Sequence, residues 1–258
     1  MRVGPASEDG SPERAPRQRL AELVGNLERI RSRIGAACAV AGRDEAEITL
    51  IAVTKTYPAS DVLALASLGL TDFGENRDQE AAAKAAAVAA AGQPVTWHFI
   101  GQLQSNKARS VARYADVVQS VDRVRLVRAL GAAARASGRD LTCLVQASLD
   151  PADADSDTLS DPGRGGVPLA SLAEVAEAIE AEEGLTLGGL MAVAPRYADP
   201  RSAFAPLRKL SDVLRSVDSC ATVVSAGMSG DLEAAIEWGA THLRIGTALL
   251  GDRTPPVL

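Results

Sequence analysis

The chain has 258 residues, of which 47% are hydrophobic, 23% charged and 3% aromatic, with a net charge of −6 and two histidines. This is the balance of a globular chain long enough to bury a sizeable core, and it argues against disorder and fibrous repeats. An acidic total also argues against a general nucleic-acid binder, and so few histidines argue against a histidine-rich metal centre.

In chain order, Met1 to Arg17 are rich in Pro, Gly, Ser and charge. They read as a disordered arm rather than a signal peptide, leaving residues 18–258 as the folded domain. Leu20, Leu23, Leu27, Ile30 and Ile34 make the stripe of an amphipathic helix over Leu20 to Ala41, stopped by Gly42. Eight short apolar runs then read as strands: Ile48–Thr54, Thr71–Gly74, Thr96–Ile100, Val117–Val121, Leu141–Ala147, Thr186–Met191, Thr222–Val224 and His242–Ile245. Helical stretches separate them: Ser60–Leu68, Asp78–Ala90, Asn106–Tyr114, Val124–Ala136, Leu169–Glu182, Pro200–Val217 and Ser229–Trp238. Parallel strands need such crossovers, and eight βα units in this length predict one α/β domain, a closed TIM-type (β/α)8 barrel with an extra N-terminal helix. An open doubly wound sheet is the alternative, but its G-x-G-x-x-G fingerprint is missing. Between Asp150 and Val167 lies an aspartate-rich stretch. Counted as a calcium loop from Asp150 it has Asp155 where Gly is needed and Asp161 where Glu is needed, so it reads as a solvated loop. No apolar run reaches the ~18 residues that span a bilayer, Ala81 to Gly92 being short and interrupted by Lys84. Cys38, Cys143 and Cys220 are odd in number and far apart, which suits reduced thiols in a cytoplasmic protein.

The chemistry gathers at strand ends, where barrels build their sites. By the two-residue period Lys55 shares a face with Thr49, Ile51 and Val53 and falls at the end of the first strand. A lysine desolvated there has a lowered pKa, and its neutral amine can attack an aldehyde; the plainer reading is a solvated loop lysine. Arg244 alternates with Leu243 and Ile245 on the last strand, so it faces the barrel mouth beside Lys55; Glu75 is a candidate ion-pair partner for it. After the seventh strand, Ser225-Ala226-Gly227-Met228-Ser229-Gly230-Asp231 leads into a helix, with Ser229 as a cap or a phosphate ligand. After the eighth comes Arg244-Ile245-Gly246-Thr247; the two loops together predict a phosphate cup over Gly227–Ser229 and Gly246–Thr247. His98 reads better as a core histidine than as a general base, Ser105 as a helix cap, and Lys107 and Arg109 as surface charges.

Together these segments resemble the pyridoxal 5′-phosphate homeostasis proteins, the YggS/PROSC family, related to the barrel domain of alanine racemase. The matching stretches are Ala52-Val53-Thr54-Lys55-Thr56, Phe73-Gly74-Glu75-Asn76, Gln79-Glu80, the run from Trp97 to Lys107, Gly189-Leu190-Met191, the run from Gly227 to Ile236, and Arg244-Ile245-Gly246-Thr247. The resemblance implies that Lys55 holds pyridoxal 5′-phosphate as an aldimine. It further implies that Ser229, Gly246 and Thr247 hold the phosphate, that Arg244 faces the pyridine nitrogen, and that Asn76 and Met228 lie near the ring. Three positions depart from the family pattern: Ala226, Asp78 and Arg164-Gly165-Gly166.

The expected function is therefore binding of the cofactor in intracellular vitamin B6 homeostasis, with release to apo-enzymes and no efficient turnover. It involves no metal, nucleic acid or membrane. A racemase or decarboxylase of the same barrel type is the alternative, and a lysine aldolase acting on a sugar phosphate is a third. Racemases of this type need a second acid/base, a tyrosine on a C-terminal β domain. Tyr57, Tyr114 and Tyr197 do not match it, and the chain stops a few residues beyond Gly251.

Overall fold

In the computed structural model, which describes residues 16–150 and 165–251, eight parallel strands close into a barrel in chain order. They are β1 (Thr49–Val53), β2 (Asp72–Glu75), β3 (Thr96–Phe99), β4 (Val117–Val121), β5 (Leu141–Ala147), β6 (Leu185–Ala192), β7 (Val223–Ser225) and β8 (His242–Ile245). The helices are α1 (Pro16–Ala41), α2 (Ala59–Ser67), α3 (Asp78–Ala90), α4 (Ala108–Val111), α5 (Val124–Ser137), α6 (Leu172–Glu180), α7 (Pro200–Phe204), α8 (Leu207–Val217), α9 (Leu232–Glu237) and α10 (Thr247–Leu250). The barrel reading holds, and each strand lies within two residues of its expected bounds.

Helix ends differ more, for local reasons. Pro16 and Arg17, expected in the arm, open α1, while 1–15 lie outside the described residues, as do 151–164 of the aspartate-rich loop. The helix expected from Asn106 is a 3-10 turn, Ser105–Lys107, followed by the single turn of α4, and Ser105 makes no cap bond because Gln104 stands at the cap position. The helix expected over Pro200–Val217 breaks in two at Pro206, which has no N–H to continue the ladder. The helix expected from Ser229 starts at Leu232, and α10 was not foreseen.

The wall sorts its side chains by the two-residue period. Outward, Ala52, Phe73, Trp97, Val118, Val145, Leu190, Leu243 and Ile245 join the main core against the helices, each large side chain contributing about 1.5–3 kcal/mol. Inward, the packing is partly polar: Ile51, Val53, Leu144 and Met191 share the lumen with His98, Gln119, Ser225 and Arg244. At Gly189 (φ 141°) a Cβ would sit 2.1 Å from the Val223 carbonyl oxygen, so the bulge that lets β5, β6 and β7 meet admits only glycine.

The N-terminal helix lies over the seam between the last and first units. α1 buries Leu23, Leu27, Ile30, Ile34, Ala37 and Cys38 against α9 and α10, while Leu20, counted in the expected stripe, stays 38% exposed. Asn26 Nδ2 donates to the Leu249 carbonyl at 2.8 Å, pinning α10.

Candidate functional site

The strand register brings the flagged residues to one rim, at the C-terminal ends of the strands. Ile51 is paired with Arg244 on one side, and Val53 with Gly74 on the other. The ladder runs on to Thr54, whose N–H donates to Gly74 at 3.1 Å; Lys55 then lies in a turn closed by Tyr57 N–H donating to the Thr54 carbonyl at 3.0 Å. A Cβ on Gly246 would lie 3.5 Å from Val53, so the loop after β8 adjoins the strand that carries the lysine. Arg244 N–H donates to Gly227 O at 2.9 Å, joining the loop after β7 to β8. Lys55, Asn76, Gly227, Met228, Ser229, Gly246 and Thr247 thus follow the C-terminal ends of β1, β2, β7 and β8, which are neighbours in the barrel, and Arg244 lies within β8.

Arg244 is 4% exposed and donates to Ser225 Oγ and to Ala192 O, both at 2.8 Å. Its expected alternative partner, Glu75, does not reach it: Glu75 points outward from the wall and is taken by Lys84. Burial lowers the Arg244 pKa to about 10, with the Asp231 carboxylate pulling the other way, so the group stays cationic at neutral pH. Two of its N–H groups are used by these bonds, leaving others of its five for a ligand.

From Arg244 a polar chain crosses the lumen. Ser225 Oγ donates to Gln119 Oε1 at 2.7 Å, Gln119 Nε2 meets His98 Nδ1 at 2.9 Å, and His98 Nε2 meets Asp72 Oδ1 at 2.9 Å. The carboxylate can only accept, so Nε2 carries the hydrogen and, in the neutral ring, Nδ1 accepts from Gln119. His98 is therefore a satisfied interior histidine, as expected. Neighbouring His242 is pushed down to about pKa 4 by burial, aided by His98 and opposed by Asp72.

The two loops supply donors. Gly227 has φ 90°, and a Cβ there would lie 2.6 Å from Ala235 Cβ, so the turn requires glycine. Met228 N–H is held by the Asp231 carboxylate at 2.5 Å. Ser229 does not cap α9; its Oγ accepts from Ala248 N–H at 3.3 Å and ties one loop to the other. Among the described residues, the N–H groups of Ser229, Gly230 and Thr247 find no protein acceptor. Arg33 of α1 donates to Ser229 O at 3.0 Å while ion-pairing with Glu233, and Tyr57 Oη donates to Gly251 O at 2.7 Å.

Sequence reasoning missed the outer face of the wall beneath Lys55. Lys84, noted only as an interruption, is 6% exposed; its Nζ donates to Glu75 Oε1 at 2.5 Å, Thr54 O at 2.7 Å and Glu80 Oε1 at 3.2 Å. Thr54 Oγ1 also donates to Glu75 Oε1, at 2.7 Å. Burial, opposed by Lys84 and Thr54, raises the Glu75 carboxyl above its ordinary range. The available signal was the i,i+4 spacing of Glu80 and Lys84 on a helix that is otherwise nearly all alanine. A cleft lined by Asn76, Asp78, Phe99, Gln102 and Lys107 opens on the same rim.

The alanine racemase N-terminal domain family matches residues 21–254. A pyridoxal phosphate homeostasis protein of Mycobacterium tuberculosis is 41% identical over 252 residues, covering 91% of this chain and 94% of the relative. The chain belongs to the pyridoxal phosphate homeostasis protein family. A family member from Escherichia coli is 36% identical, covering 90% of this chain and 97% of its own. Among solved structures, PipY of Synechococcus elongatus with pyridoxal phosphate bound superposes with a TM-score of 0.73 at 30% identity, over 89% of this chain and 100% of PipY. The alanine racemase of Streptomyces lavendulae, at 20% identity and a TM-score of 0.66, shares the fold; the match covers 92% of this chain and 58% of the racemase.

Proposed function

We propose that the chain binds pyridoxal 5′-phosphate at this rim, anchors it through Lys55, and serves intracellular vitamin B6 homeostasis by passing it to apo-enzymes. The observation that carries the reading is the meeting of a strand-end lysine, a buried arginine with N–H groups to spare and two linked loops with unused N–H donors. These match an aldehyde, a ring nitrogen and a phosphate. Bound there, the cofactor supplies an aldehyde that an amine can condense with, and a ring that draws electrons. Ser229, Gly230 and Thr247 offer N–H groups to the phosphate, charge-assisted bonds about twice as strong as neutral ones. Asn76 and Met228 would flank the ring. Arg244 would donate to the ring nitrogen and, being a far weaker acid than a pyridinium, would leave that nitrogen unprotonated. An unprotonated ring is a poor electron sink, which suits carriage better than turnover.

The names of the relatives and the ligand of PipY support this reading over the racemase. So do the tyrosines: Tyr114 is buried, Tyr57 is bonded to Gly251, and Tyr197 is 93% exposed. No helix among the described residues is long and apolar enough to cross a membrane. We place the protein in the cytoplasm, in keeping with three free thiols.

The test is absorbance of purified protein mixed with pyridoxal 5′-phosphate, then borohydride reduction and peptide mapping. The expected result is an imine band and a reduced adduct on Lys55, lost in Lys55→Ala. An adduct on Lys107 or Lys209, or on Lys84, would overturn it. Transfer to an apo-enzyme with negligible alanine racemisation is the companion result, and robust Lys55-dependent racemisation would favour the enzyme.

A further inference from the structure

Lys55 stands between two residues whose backbones are held from outside the barrel. Thr54, before it, is fully buried; its carbonyl accepts from Lys84 Nζ at 2.7 Å and its hydroxyl donates to Glu75 at 2.7 Å. Thr56, after it, has φ 70° and is the one non-glycine residue at positive φ among those described. A β-branched residue rarely adopts that conformation, and its persistence requires surroundings that hold it. Two bonds hold it: Tyr57 N–H donates to the Thr54 carbonyl at 3.0 Å, closing the turn, and Glu80 Oε1 takes the Thr56 N–H. The same Glu80 oxygen accepts from Lys84 Nζ at 3.2 Å, and Lys84 in turn meets Glu75 at 2.5 Å.

We propose that Glu75, Lys84 and Glu80 act as one clamp on the two peptides flanking Lys55, and that Lys84 and Glu80 are positioning residues for the lysine. The proposal rests on the reading of Lys55 as the covalent anchor. Its geometry follows from the turn after β1: Thr54 packs outward against Glu75 of β2 and Lys84 of α3, and Lys55 is the next residue, between the two peptides that are gripped. Gripping those peptides therefore fixes where the amine emerges. Lys55 sits inside the turn that follows β1, closed by Tyr57 N–H donating to the Thr54 carbonyl, and the left-handed Thr56 stops the chain from running on as an extended segment. Glu75 and Lys84 are both nearly buried, so their contact excludes water and has little slack. The clamp touches neither the cup nor Arg244, so it governs the amine's approach and leaves phosphate affinity to other residues.

The experiment is stopped-flow absorbance of imine formation with pyridoxal 5′-phosphate across a pH series, on the full chain and on Glu80→Ala, Thr56→Gly, Glu80→Ala/Thr56→Gly and Lys84→Met. Each is followed by borohydride trapping and peptide mapping. Glu80→Ala is expected to slow trapping on Lys55 about tenfold and to shift its pH profile. Adding Thr56→Gly, which takes the left-handed turn without strain, should restore most of the rate. Lys84→Met should slow trapping at least as much, and circular dichroism on every variant checks the fold. Displacement by inorganic phosphate is expected to be unchanged in Glu80→Ala, a readout that general loosening of the barrel would move. Wild-type trapping rates and pH profiles in folded Glu80→Ala would overturn the clamp while leaving Lys55 as the anchor. So would a slow Glu80→Ala that Thr56→Gly fails to improve. An adduct that maps away from Lys55 in the wild-type chain would overturn the anchor, and the clamp with it.

Discussion

His242 sets an acid limit on stability that can be worked out from its surroundings. It lies at the start of β8, two residues before Arg244, with its ring largely buried near His98. Folding moves its pKa from 6.5 down to about 4, with burial as the first cause. Between those values the unfolded chain takes up a proton that the folded chain refuses. The stability that depends on a neutral His242 is present above about pH 6.5 and is lost as the pH falls toward about 4. With those two values, linkage gives a loss of roughly 2 kcal/mol between about pH 7.5 and about pH 5. Glu75, raised by burial, works in the opposite direction, but it is common to wild type and variant and cancels between them. Urea unfolding at both pH values, on wild type and His242→Gln, isolates the term. The variant is expected to lose about 2 kcal/mol less than wild type on acidification. An identical acid loss in the two proteins would show that His242 is not held neutral by burial and would refute the reasoning.

Other perturbations have equally definite outcomes. Ser225→Ala removes the group that accepts from Arg244 and donates to Gln119, so urea unfolding should show a loss of about 1–3 kcal/mol and the cofactor band should move, since Arg244 loses one of its two tethers. Pyridoxal lacking its phosphate should bind at least tenfold more weakly by titration, and equal affinities would rule out the cup. Asn26→Leu leaves the Leu249 carbonyl without its donor and should cost about 1–3 kcal/mol, read by thermal or urea unfolding. Of the three thiols, exposed Cys220 should react first with a thiol reagent in the folded protein. Cys143, buried and pushed up to about 12, should stay unmodified until the chain unfolds.

The barrel was legible because its strands are short apolar runs spaced by helices, and period-two counting placed Arg244 on the inner face and Lys55 just beyond the end of β1. The two loops were legible because glycine and serine at a strand-to-helix turn have a physical use. What was not legible came from residues that meet only once the barrel closes. Lys84 looked like an interruption in an alanine helix until α3 laid it against Thr54 and Glu75. Gln119 and Ser225, 106 residues apart, have no local reason to be paired. Glu75 was offered to Arg244 on charge alone, but the two stand on opposite faces of the wall. Ser229 was read as a local cap or a phosphate ligand, whereas its hydroxyl accepts from Ala248 of α10, a partner that only the closed barrel brings near.

The placement of α1 bears on how the protein is made. Its bonds to the rim loops join residues 223 apart, Asn26 to Leu249, and 196 apart, Arg33 to Ser229. The helix therefore leaves the ribosome before every strand of the barrel and waits for partners about two hundred residues further on. Contacts of such long range are the slowest to form. Until they form, a nascent chain that already carries Lys55 has no seated loops beside it. On the proposed reading of Lys55 as the anchor, capture of a reactive aldehyde is deferred to the closed barrel.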